Sequence, residues 1–180
     1  MGSILEALSP EQQIACSTQN NILLTACPGS GKTRTLTHRL AYQVLRDPAS
    51  KKIKIAITYT NRAAEEITNR LEGMNIDQSS IWAGTIHQFC MHFIIRPYAM
   101  YSKRLCKGYR IIDDYSKKAY GREIAERLGM HLNYYDDPFQ YENVRTEYKR
   151  VLKEKKEIDF DAILLISEEL LASCAFIGSN

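Results

Sequence analysis

The segment Asn21-Ile22-Leu23-Leu24-Thr25-Ala26-Cys27-Pro28-Gly29-Ser30-Gly31-Lys32-Thr33 sets a short apolar run directly before a glycine-bearing turn and a Lys-Thr pair. It reads as a strand running into a phosphate-binding loop, with Ala26 at the usual first glycine and Gly31-Lys32-Thr33 closing the pattern. Glycines let the backbone curl until successive N–H groups point at one polyphosphate, and a following helix adds its positive N-terminal end. Lys32 then reaches the β- and γ-phosphates, and the Thr33 hydroxyl is placed to ligate Mg²⁺. A helix is expected next, because Leu36, Leu40, Ala41 and Val44 share one face and Asp47-Pro48 closes the run.

The 180 residues allow one domain with a real core, or a core carrying a small insertion. No apolar run approaches the roughly 20 residues a membrane-spanning helix needs, so no membrane partner is expected. Cys16, Cys27, Cys90, Cys106 and Cys174 are scattered with no CxxC pair. That spacing suggests neither a zinc site nor a disulfide framework, and suits a reducing cytoplasm. The net charge of +3 names no partner by itself. Nine Lys or Arg fall between Arg96 and Arg127 against four Asp or Glu. This segment reads as a solvated helical face, with a track for a phosphate backbone as the alternative.

Ser9-Pro10-Glu11-Gln12 opens a helix, with Ser9 as N-cap, Pro10 at the first helical position and Gln12 completing a capping box. Residues 52–58 read as a second strand rich in β-branched residues. The helix after it buries Ala63, Ala64, Ile67 and Leu71 and ends at Gly73. Ile81 to Thr85 reads as a third strand. The helix from Ile86 is expected to stop near Arg96, before Pro97. Alternating strands and helices predict an α/β fold with a parallel sheet. Past Pro97 the expectation is one short strand at 109–112 and helices near 114–128, 140–156 and 160–175. Trp82, inside a strand, is expected to be a core residue.

These motifs together resemble the UvrD/Rep/PcrA-type superfamily 1 DNA helicases. Leu8 to Gln12 with Ala26 to Arg39 resembles the start of that family. Thr58-Tyr59-Thr60-Asn61-Arg62-Ala63-Ala64-Glu65-Glu66-Ile67 is similar to its motif Ia, and Gly84-Thr85-Ile86-His87-Gln88-Phe89-Cys90 to its motif Ib. Ile158 to Leu164 resembles the "DFDDLL" helix that leads into the Walker B strand. The resemblance implies a P-loop NTPase (RecA-like) parallel sheet, incomplete, with a helical insertion. It divides the chain into a RecA-like ATP-binding core at 1–96, a 1B-like insertion at 97–156, and a helix returning to the core at 157–180.

The resemblance also implies roles. Lys32 and Thr33 are the catalytic-site residues, with Thr33 on Mg²⁺. ATP is held by Gln12, Ala26, Cys27, Pro28, Gly29, Ser30, Gly31, Lys32, Thr33 and Arg34. Gln12 reads the adenine edge, alongside its capping job, and Arg34 packs on the base. Thr58, Tyr59, Thr60, Asn61, Thr85 and His87 contact single-stranded DNA; Tyr59 stands where relatives usually carry Phe, so the π-face is kept. Thr60 or Asn61 also suits a helix cap, and His87 suits a local hydrogen-bonding role. No Asp-Glu pair in an apolar strand follows the loop before Asn180, so the sequence is expected to be the N-terminal part of a longer helicase. It would then need the second RecA-like domain as partner and be inactive alone. The alternatives are a stand-alone nucleotide- or DNA-binding module, or an unrelated P-loop kinase.

Overall fold

The computed structural model describes residues 4–173, which divide into two compact units meeting in sequence at Ile86 and His87. Both are mixed α/β, each with a two-stranded parallel sheet among helices.

In the first unit, α1 (Pro10–Ser17) begins with the expected capping box: Gln12 N–H donates to Ser9 Oγ, and Ser9 N–H donates to Gln12 Oε1. Helix α2 (Lys32–Arg46) packs on α1, tied by Arg39, whose guanidinium donates to Ala15 O at 2.5 Å. Strand β1 (Lys54–Thr58) pairs in parallel with β2 (Ile81–Thr85), Lys54 opposite Ile81 and Thr58 opposite Thr85. The crossover between them is α3 (Asn61–Glu72), capped by Thr60 Oγ1, which accepts from Ala63 N–H at 3.2 Å. Leu40, Ala41 and Val44 of α2, Ala56 of β1 and Ile67 and Leu71 of α3 form the core. Burying Ile67 and Leu71 stabilises by about 1.5–3 kcal/mol each. The period of two in β1 turns Ala56 inward and leaves Ile55 and Ile57 exposed.

The strand expected before the loop does not form: residues 21–27 belong to no ladder, and Leu23 is 90% exposed. A strand exists only with a neighbour to receive its N–H and C=O groups, and β1 pairs with β2.

The second unit starts in a helical run that passes Pro97 rather than stopping at Arg96. It goes from α4 (Ile86–Phe89) through a π-helical stretch at Cys90–Ile95 into α5 (Arg96–Tyr98). An α-helical register would aim the Phe93 carbonyl at Pro97, which has no N–H and whose ring would clash there. The Arg96 N–H donates instead to Met91 O, five residues back, and this wider turn re-registers the chain just ahead of the proline. Strand β3 (Arg110–Ile111) pairs in parallel with β4 (Glu157–Ile158). Around this pair stand α6 (Asp114–Arg127), α7 (Glu142–Lys155) and α8 (Phe160–Ser173). Cys90, Ile94 and Ile95 pack on Ile163, Ile166 and Leu170 of α8, while Ile124, Val144, Tyr148 and Leu152 join α6 to α7.

Asp159 locks the start of α8. Its Oδ1 accepts from Ala162 N–H at 2.9 Å, and its Oδ2 accepts from the buried Tyr148 hydroxyl at 3.0 Å. Burial first, and then the Asp159 charge, pushes the Tyr148 hydroxyl well above the ordinary phenol range.

Candidate nucleotide and nucleic-acid site

The loop between residue 26 and α2 is shaped by two glycines in the left-handed region, Gly29 at φ +81° and Gly31 at φ +87°. A residue with a Cβ meets the following carbonyl in that conformation, which is why glycine stands at both turns. Ser30 closes the turn, its N–H donating to Cys27 O at 3.2 Å and its hydroxyl donating to the same oxygen at 2.7 Å. Pro28 and Ala26 complete an exposed loop. Gly31 is the N-cap of α2 and offers no side-chain acceptor, so the first N–H groups of a 15-residue helix are left for an outside anion.

Lys32 is the first residue of α2, and its side chain folds back over the loop. Its Nζ donates to Ala26 O and Cys27 O at 2.7 Å each. The ammonium is thereby held over a ring of backbone groups rather than extended into water. Thr33, half-buried, follows it on the helix. The cradle, the uncapped helix end and the ammonium form a donor set suited to a polyphosphate.

The two residues expected on the adenine side are engaged within the protein. The Gln12 carboxamide accepts from Ser9 N–H at 3.1 Å and donates from Nε2 to Ser30 O at 3.2 Å, which braces the loop from α1. The Arg34 guanidinium donates to Ala7 O at 2.9 Å. Sequence spacing shows Gln12 as a cap, but its bond to Ser30 links positions 18 apart and has no local signature.

At the carboxyl ends of the parallel strands, Thr58 and Thr85 lie opposite each other in register. The Thr58 hydroxyl donates to Thr60 O at 2.9 Å. Tyr59 is 98% exposed, a bare aromatic ring at the strand end, and Asn61 begins α3 beside it. Carboxyl ends of parallel strands are where ligands collect in open α/β sheets. His87 lies in the second unit, with its ring edge-on to Phe160 at 5.6 Å between centroids. Trp82 is half-buried in β2.

Residues 8–140 match the family model described as UvrD/REP helicase N-terminal domain. The chain belongs to this family. It is 39% identical over 98 residues to the ATP-dependent DNA helicase PcrA of Staphylococcus aureus (strain Mu50), covering 53% of this chain and 13% of that protein. The Bacillus subtilis (strain 168) PcrA is 40% identical over 95 residues, 52% of this chain and 13% of that protein. The Leuconostoc citreum PcrA is 27% identical over 187 residues, 87% of this chain and 25% of that protein. The chain therefore spans between 13% and 25% of the length of these relatives. Among the described residues, no helix is long and apolar enough to cross a membrane, and no cluster of His, Cys, Asp and Glu could hold a metal ion.

Proposed function

We propose that this chain is the ATP-binding N-terminal region of an ATP-dependent DNA helicase or translocase that acts on single-stranded DNA. The observation that carries the reading is the loop itself. Left-handed Gly29 and Gly31, the uncapped start of α2 and the folded-back Lys32 ammonium converge on one exposed spot. The names of the PcrA relatives supply the motor class. The site belongs to a P-loop fold in this reading, with Ala26, Cys27, Pro28, Gly29, Ser30 and Gly31 as the phosphate cradle.

Lys32 would move from the Ala26 and Cys27 carbonyls onto the β- and γ-phosphates, exchanging neutral acceptors for charged ones. The Thr33 hydroxyl would take one Mg²⁺ position. Gln12 and Arg34 stand on the adenine side, and contact there would draw Gln12 Nε2 away from Ser30 O. ATP supplies the phosphoanhydride whose hydrolysis drives movement, and that step would take the remainder of the helicase, including a second RecA-like domain, as partner. Residues 1–96 would form the core, 97–156 the insertion and 157–180 the return. A cytoplasmic location fits this role.

Thr58, Tyr59, Thr60, Asn61, Thr85 and His87 would meet the DNA strand, with hydroxyls and the start of α3 for phosphates and Tyr59 for a base. Base–aromatic stacking is worth about 1–3 kcal/mol and tolerates any sequence. Tyr59 has little protein surface to pack on, so its truncation should leave the fold intact. Tyr59→Ala is expected to weaken binding of fluorescent oligo-dT at least fivefold in anisotropy titrations, while Tyr59→Phe stays near the parent. An alanine variant that binds as tightly as the parent removes Tyr59 from the DNA path.

A further inference from the structure

The second unit carries a cavity of about 550 Å³, and six of the ten residues lining it are cationic. Lys103, Arg104 and Lys107 approach it from the turn before β3, and Lys149, Lys153 and Lys156 from one edge of α7 and its C-cap. Among the described residues, none of the six is in an ion pair. The other face of the same unit behaves differently: Arg127 and Arg150 share Glu147, at 3.2 and 2.6 Å, and Arg150 also reaches Glu154 at 2.5 Å. The one acid lining the cavity, Glu157, is buried and already bound to Arg110, whose Nε donates to Glu157 Oε1 at 3.1 Å.

This segregation has a cost that a bound anion would offset. Lys149 and Lys153 are four apart on α7, a spacing at which like charges repel. Lys156 sits at φ +54°, ψ +47°, a left-handed C-cap usually given to glycine or asparagine. A side chain with a Cβ is strained there. Glycine would fit the backbone better, and the ammonium is what lysine adds at this position.

We propose that this cavity is a second nucleic-acid contact, holding the phosphate backbone of a DNA strand between the 103–107 turn and α7. It rests on the reading of the chain as part of a DNA helicase and adds a site that none of its sequence motifs includes. The groups on the rim are ammonium and guanidinium, with Tyr109 half-buried against the core, so contact is to phosphates and independent of base sequence. The chemistry recognised is phosphate, and the two sources are a nucleic-acid strand and a free polyphosphate.

The test measures oligo-dT affinity against salt for the 180-residue chain, Lys156→Gly and Lys149→Gln/Lys153→Gln. Lys51→Gln/Lys52→Gln is the control with the same net charge change as the double variant. For each phosphate left without its cation, the slope of log affinity against log salt should fall by about 0.7. The double variant should lose about 1.4 of slope and about tenfold in affinity. Lys156→Gly should unfold at higher urea than the parent yet bind DNA about threefold more weakly, a pairing that a purely structural lysine cannot produce. Parent-like slopes in these variants, or equal losses in the control, would overturn the proposal. So would inorganic tripolyphosphate binding that survives Lys32→Ala but is lost in the double variant while oligo-dT binding is unchanged. An intact Tyr59→Ala effect beside silent lysine variants would remove this site and leave the helicase reading standing.

Discussion

Asp159→Ala should destabilise the second unit by about 2–4 kcal/mol. Two effects combine. The Ala162 N–H loses the side chain that caps α8, worth about 1 kcal/mol. The Tyr148 hydroxyl, buried against Phe139 and the α6–α7 core, loses its acceptor and stays dry, which costs about 1–3 kcal/mol more. Asp159→Asn keeps an oxygen for one donor and the side-chain volume for the other, and should cost less than half as much, chiefly the attraction to Lys117, whose Nζ lies 3.7 Å away. Urea unfolding followed by amide exchange in α6, α7 and α8 reads the difference. Equal stabilities for the alanine variant and the parent would mean that the Tyr148–Asp159 bond holds nothing together.

Gly31→Ala should abolish measurable binding of a fluorescent ATP analogue at micromolar protein. Alanine at φ +87° costs about 1–2 kcal/mol in backbone strain. Its Cβ would also lie 3.1 Å from Gln12 Nε2, the atom that braces Ser30 O. Relief of either would distort the start of α2, whose N–H groups would face the phosphates in the proposed complex. Gly29 separates the two causes. It has a similar φ of +81° but open space around a new Cβ, so Gly29→Ala should suffer the strain alone and keep part of the affinity. If Gly31→Ala binds as well as the parent, the loop does not use this backbone shape to hold its ligand.

Local chemistry makes much of the fold legible. The Ser9-to-Gln12 spacing fixes α1, and the apolar spacing of Ala64, Ile67 and Leu71 fixes the buried face of α3. Features that depend on distant partners are not legible in the same way. The apolar run at 22–25 has strand composition, yet without a ladder partner Ile22, Leu23 and Leu24 stay exposed. The π-helical stretch before Pro97 answers a clash that composition does not show. The basic segment after Arg96 reads as one solvated face, but the fold sorts it. Arg110, Lys117 and Arg127 find carboxylates, while Lys103, Arg104 and Lys107 join Lys149, Lys153 and Lys156 around one cavity. Asp159 stands in the family motif, whereas its bond to Tyr148 is a tertiary fact.

The central claim is that the Gly29–Thr33 loop holds the triphosphate of ATP through Lys32. Lys32→Ala removes the ammonium bound over the loop carbonyls and leaves the phosphate charge to backbone dipoles. A charge-assisted contact of this kind contributes about 1.5–3 kcal/mol. Calorimetric titration of a non-hydrolysable ATP analogue with Mg²⁺ into the parent chain and Lys32→Ala measures it directly. The prediction is saturable binding by the parent and at least tenfold weaker binding by the variant, with unchanged urea unfolding; equal dissociation constants would contradict it.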